Sequence, residues 1–135
     1  MLQAARKGIT PPLQPIIGYD RDAGAVKIAA SNAARAGQKD IASFRQQPIS
    51  ELQTLNTTGW IVTNPPYGVR VKSNKDLRDL YARFGSIMLN SFSGWQVGVL
   101  CNDPVLAGNL ALPAPDAEWR FINGGIPVKY QIFNI

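Results

Sequence analysis

The residues Asn64-Pro65-Pro66-Tyr67-Gly68, set directly after the β-rich run Trp60-Ile61-Val62-Thr63, carry the most specific chemistry in this sequence. An exocyclic base amine is a poor nucleophile because its lone pair is delocalised into the ring. A site that methylates such an amine must favour the pyramidal, localised form, which hydrogen-bond acceptors do. The Asn64 side-chain oxygen and the Pro65 carbonyl can each take one amine proton, stabilising positive charge as nitrogen attacks a sulfonium methyl. The two prolines fix φ and so hold that carbonyl, and Tyr67 offers a ring on which an extruded base can stack. In-line transfer then rests on proximity and orientation. Asn64, Pro65, Pro66 and Tyr67 are therefore the candidate catalytic residues. Asn-Pro and Pro-Pro also mark ordinary strand-ending turns, so it is the strand context that makes the motif specific.

Asp20 is the second candidate. An acidic residue at the carboxyl end of a parallel strand, just before a helix, can bind the ribose hydroxyls of a nucleoside cofactor, and it can equally cap the helix. Asp20, its neighbour Arg21 and Asn64 form the candidate cofactor-binding set. Ligands of open α/β sheets sit at the carboxyl ends of strands, so Asn64 and Tyr67 are expected to line the same cleft as Asp20. Arg70, Lys72, Lys75 and Arg78 follow the proline turn as a basic cluster whose phosphate contacts would position a substrate without reading its sequence. A solvated loop and helix face explains the same four charges. Tyr67, Arg70 and Lys72 are the candidate substrate-binding residues. Asn102-Asp103, after another apolar run, is a further candidate for the cleft wall, whereas Cys101 and Met88 fall on apolar patterns and belong to the core.

These residues need elements to position them. Leu2, Ala4, Ala5, Arg6 and Lys7 before Gly8 read as the end of a helix, broken by Thr10-Pro11-Pro12. Pro15 to Tyr19 is a short apolar run ending at Asp20, as a buried parallel strand would be. Asp22 to Ala36 is a helix with Asp22 placed to cap its start and Gly37 to end it. Ile41 to Phe44 and Trp60 to Thr63 read as strands, the latter in the middle of the sheet. Leu77, Leu80, Tyr81, Phe84, Ile87 and Met88 recur at helical spacing, with Asp76, Arg78, Asp79 and Arg83 on the other side. Trp95 to Cys101 is another buried strand. Trp119-Arg120-Phe121, the turn Asn123-Gly124-Gly125 and the alternating Ile126, Val128, Tyr130 and Ile132 make a closing hairpin. Alternating strands and helices predict an α/β fold, with a mainly parallel sheet of about five or six strands and helices on both faces.

Composition sets the outer bounds. A chain of 135 residues fits one compact domain. Its 45% apolar and 17% charged residues describe a globular chain. Cys101 is the single cysteine and there is no histidine, so an intramolecular disulfide, a histidine-bearing zinc site and a Ser/Cys–His pair are excluded. No apolar run reaches the roughly 18 residues that span a bilayer, and no secretion signal opens the chain, which makes the cytoplasm the expected location. The net charge of +5 favours a polyanionic partner such as RNA, or serves solubility alone.

Ile17-Gly18-Tyr19-Asp20-Arg21-Asp22, Ala29-Ala30-Ser31-Asn32-Ala33 with Ala36-Gly37, Val62 to Arg70, Leu80-Tyr81 with Phe84-Gly85, and Phe121-Ile122-Asn123-Gly124 together resemble the THUMP-associated RNA guanine-N2 methyltransferases, in particular the large-subunit ribosomal RNA type. The resemblance covers almost the whole chain. It implies a Rossmann-like sheet, S-adenosylmethionine as cofactor, RNA as partner, Asp20 as the ribose-binding acid and Asn64-Pro65-Pro66-Tyr67 as the catalytic motif. It also implies that residues 1–135 are a partial domain, because the family's first strand and Gly-rich loop would precede Met1. The strands ending at Tyr19 and Thr63 would then have unpaired edges, giving marginal stability, self-association or a gap filled by another segment, with weak cofactor binding. Gln46-Gln47-Pro48 stands where the family tends to carry an adenine-contacting acid. A protein-glutamine methyltransferase, an adenine-N6 methyltransferase and a non-catalytic RNA-binding remnant are the competing readings.

Overall fold

The computed structural model of the chain describes residues 15–54, 58–67 and 74–135. The chain forms two compact units, Met1–Glu51 and Leu52–Ile135. The helix expected over residues 1–8 lies outside the described residues, as do Arg70 and Lys72.

In the first unit, strand β1 (Ile16–Asp20) and strand β2 (Ala42–Gln46) run parallel, with Ile16 opposite Ala42 and Asp20 opposite Gln46. A parallel pair needs a crossover, which helix α1 (Ala23–Arg35) supplies. The Asp22 carboxylate accepts the N–H groups of Gly24 and Ala25 at 2.6 and 3.0 Å, satisfying donors that the first helical turn leaves free. At the other end Gly37 takes φ 69°, and the N–H groups of Gly37 and Gln38 close on the carbonyls of Ala34 and Ala33 at 3.0 and 2.8 Å. Both expected helix signals are thus present as caps. Two expectations are corrected. No residue of β1 is buried, because among the described residues it pairs along one edge only. Strand β2 runs past Phe44 through Arg45 and Gln46, since the backbone ladder to Tyr19 and Asp20 extends it despite polar side chains.

The second unit holds a sheet in the order β3-β4-β6-β5. Strand β3 (Trp60–Thr63) lies parallel to β4 (Gln96–Cys101), and β6 (Ile126–Asn134) is antiparallel to both β4 and β5 (Ala117–Asn123). Gly124 and Gly125 (φ 57° and 82°) make the two-residue turn between β5 and β6, a conformation that side chains resist. Helix α2 (Asn74–Ser91) connects β3 to β4 and buries Leu77, Tyr81, Phe84 and Met88, as its spacing requires. Val97, Val99 and Cys101 of β4, Val128 and Phe133 of β6, and Leu106 and Leu110 complete this core. At Gly85 a Cβ would lie 1.7 Å from the Leu110 carbonyl oxygen, so only glycine permits that approach of α2.

The described strands form a two-stranded sheet, β1-β2, in the first unit and a four-stranded sheet, β3-β4-β6-β5, in the second. Within the second sheet β3 and β5 are the end strands, and β4 and β6 are each flanked on both sides. Trp60 and Val62 are accordingly 54% and 67% exposed. Parallel β-α-β crossovers followed by an antiparallel hairpin are the α/β pattern that the sequence predicts. No described helix is long and apolar enough to cross a membrane.

Candidate active site

Asp20 ends β1 and is exposed. Its Oδ1 accepts the N–H of Asp22 at 2.8 Å, while Oδ2 has no hydrogen-bond partner among the described residues. Asp22 is the helix cap, so the alternative role considered for Asp20 belongs to its neighbour. The strand end is fixed from β2: the Gln47 N–H donates to the Asp20 carbonyl at 2.9 Å, and Gln46 Nε2 donates to the Arg21 carbonyl at 3.1 Å. Gln47 is in turn held by its side chain, which donates to the Glu51 carbonyl at 2.7 Å. Arg21 itself is exposed and contributes its backbone to this turn. A carboxylate oriented by one backbone donor, with its other oxygen open, suits a pair of vicinal hydroxyls.

In the second unit the segment 64–67 leaves the carboxyl end of β3. Asn64 and Pro66 are exposed, and Pro65 and Tyr67 half-buried. Pro65 and Pro66 have no N–H to contribute. Among the described residues, one hydrogen bond reaches it: the Tyr81 hydroxyl donates to the Pro66 carbonyl at 3.5 Å. Tyr81 is 1% exposed, and burial, then its contact with Cys101, raises its phenol above the usual range. It stays protonated and remains a donor at any physiological pH.

A sequence profile of the RMKL-like methyltransferase domain matches residues 1–124. The chain belongs to this family. It is 34% identical to the ribosomal RNA large subunit methyltransferase K/L of Syntrophotalea carbinolica, a match covering 100% of this chain and 20% of that protein. The chain spans about a fifth of the length of the curated relatives it matches. A solved putative methyltransferase complexed with SAH superposes with a TM-score of 0.87 at 26% identity, over 98% of this chain and 35% of that one. A solved protein from Listeria monocytogenes, described as a predicted N6-adenine-specific DNA methylase, superposes with a TM-score of 0.72 at 30% identity, over 89% of this chain and 30% of its own. The Rossmann-like fold expected from the sequence is that of these neighbours.

Of the basic cluster, Arg78 is exposed on α2, and the Lys75 side chain lies outside the described ones. Asn102 and Asp103 do line an open cavity of about 490 Å³, together with Cys101, Lys129 and Gln131, and none of residues 64–67 lines it. Asp103 is however the cap of a short helix α3 (Pro104–Asn109), its carboxylate accepting the N–H groups of Val105 and Leu106 at 2.8 and 3.1 Å. The Asp-Pro pair at a cap and first helical position signals this helix in the sequence. Two contributors escaped the sequence reading: Tyr81, whose helical spacing reveals burial but not what its hydroxyl meets, and the Gln46-Gln47 pair, whose amides brace the Asp20 turn.

Proposed function

We propose that this chain is part of a domain that uses S-adenosylmethionine to methylate an exocyclic base amine in RNA, with guanine N2 of ribosomal RNA as the acceptor. The observation that carries the reading is an exposed Asn64 followed by two prolines at the carboxyl end of a parallel strand. Membership of a methyltransferase family and a curated relative named for large-subunit ribosomal RNA support it. Asp20 suits the ribose of the cofactor because one carboxylate oxygen is fixed and the other is open, with Arg21 beside it, and a related solved structure holds SAH. S-adenosylmethionine, when bound, supplies an electrophilic sulfonium methyl. Asn64 Oδ1 and the Pro65 carbonyl would each accept a hydrogen bond from the amine, which loses one proton to solvent once it is methylated; Tyr67 would stack on the base, and Arg70 and Lys72 would take backbone phosphates.

The test is methyl transfer from isotopically labelled S-adenosylmethionine to a large-subunit ribosomal RNA transcript, followed by nucleoside analysis. The label is expected on N2-methylguanosine, and Asn64→Ala should lower turnover by about 10²-fold or more, the scale of a lost transition-state hydrogen bond. Label on adenine N6 would move the assignment to the activity named for the Listeria neighbour. Undiminished transfer by Asn64→Ala would remove this site from the chemistry.

A further inference from the structure

We propose that Tyr81 is a positioning residue for the methyl-acceptor turn, its hydroxyl holding the Pro66 carbonyl and through it the Asn64-Pro65 acceptors. This rests on the proposed function and deepens it. A phenol hydroxyl inside an apolar core costs stability unless it is hydrogen-bonded, and a Phe at position 81 would fill the same space without that cost. The hydroxyl has two neighbours. Pro66 O lies at 3.5 Å and Cys101 Sγ at 3.4 Å. Cys101 is itself buried at the end of β4, and its thiol also reaches the Asp103 carbonyl at 3.4 Å. The tyrosine has one proton to give, and a carbonyl is a better acceptor than a thiol sulfur. With Cys101 S–H pointing to Tyr81 Oη or to Asp103 O, the Tyr81 proton goes to Pro66.

The location makes that bond more than core satisfaction. β3 and β4 are parallel, with Thr63 opposite Val99, so residues 64–67 and the Cys101-Asn102-Asp103 bend leave the same end of the sheet. Tyr81, on the helix that connects these two strands, reaches both departures with one oxygen. Because Pro65 and Pro66 lack N–H groups, the turn has no backbone donors of its own there. A carbonyl tied to the buried face of α2 therefore fixes the peptide planes of the turn more firmly than the exposed side chains at its surface can. The 3.5 Å separation is long for an O–H···O bond.

Tyr81→Phe deletes only the oxygen, and Cys101→Ala removes its other neighbour. Each variant is measured in the full chain with the large-subunit ribosomal RNA transcript and S-adenosylmethionine, recording kcat, RNA KM, cofactor Kd and thermal midpoint, with Asn64→Ala alongside. The expected result is that Tyr81→Phe lowers kcat about tenfold or more, as a misplaced acceptor would, with KM, Kd and folded fraction close to the parent. Cys101→Ala should keep kcat within about threefold, since the Pro66 bond survives. Three outcomes overturn the proposal: an unchanged kcat in Tyr81→Phe, an equal kcat loss in Cys101→Ala, or loss of folded Tyr81→Phe, which would assign the hydroxyl to the core alone. Failure of Asn64→Ala to slow transfer would instead sink the underlying reading, whatever Tyr81 does.

Discussion

Both units place a polar residue at the carboxyl end of a parallel strand, Asp20 as the last residue of β1 and Asn64 just after β3, but they hold it by different means. In the first unit none of the described residues is buried, and Asp20 is kept in place by short backbone hydrogen bonds from Asp22 and Gln47. Among the described residues the buried side chains all belong to the second unit, where the turn after β3 is tied to a core tyrosine. The difference fits the tasks proposed for the two positions. Ribose hydroxyls tolerate a carboxylate that adjusts by a few tenths of an ångström, whereas in-line transfer depends on acceptors fixed relative to the attacking nitrogen.

Core truncation should break this comparison most forcefully. Met88 is 0% exposed within the second unit, and Met88→Ala should cost about 2–5 kcal/mol through lost burial and an unfilled cavity. Ile28 of α1 is 63% exposed, and Ile28→Ala should stay within about 0.5 kcal/mol of the parent. Urea titration of both variants decides the matter. A cost at Ile28 comparable to that at Met88 would show that α1 has a packed face and that the contrast between the units is wrong.

A smaller effect is expected at the carboxylate. Asp20→Ala should weaken S-adenosylmethionine binding by about 10- to 100-fold, the scale of hydrogen bonds to a charged group, while kcat at saturating cofactor changes little. Asn64→Ala should show the reverse split. Isothermal titration paired with single-turnover rates reads both, and a kcat loss in Asp20→Ala equal to that of Asn64→Ala would merge two roles that are kept apart here.

Legibility from sequence followed the same division. The α2 periodicity is a direct image of its buried face, because one side of a helix against a core forces apolar residues at every third or fourth position. The caps of α1 and the glycine turn of the hairpin are local, so local residues encode them. Burial of β1 was not legible, since Pro15-Ile16-Ile17-Gly18-Tyr19 has the same composition whether one or both edges are paired. Helix α3 is signalled only by Asp103-Pro104, and six residues give too little periodicity to weigh against a loop. At the site, Asn64 and Asp20 stand out because their chemistry is unusual for their position. The Tyr81 hydroxyl does not, because its meaning depends on Pro66 and Cys101, which lie 15 and 20 residues away.

The weakest expected effect tests whether the second unit owes its stability to the core and not to charge. Glu118 on β5 accepts from Arg120 Nε at 2.8 Å and from Gln131 Nε2 at 3.0 Å, with Lys129 Nζ at 3.3 Å. The Arg120 hydrogen bond, opposed by desolvation and then aided by Lys129, lowers the Glu118 carboxyl below its ordinary value. A carboxyl with a depressed folded pKa stabilises the fold above its unfolded value, about 4.3, and that stabilisation is lost as pH falls through the folded value. Between pH 7 and about 5 the cluster should therefore leave the thermal midpoint flat, with a slight decline only below about pH 4. Glu118→Gln should remove that part of the decline, and so should high salt, because the groups are exposed and screened. A midpoint that fell steeply in Glu118→Gln already at pH 7 would mean that this ion cluster, more than the buried Val128 and Phe133, holds β5 and β6 in place.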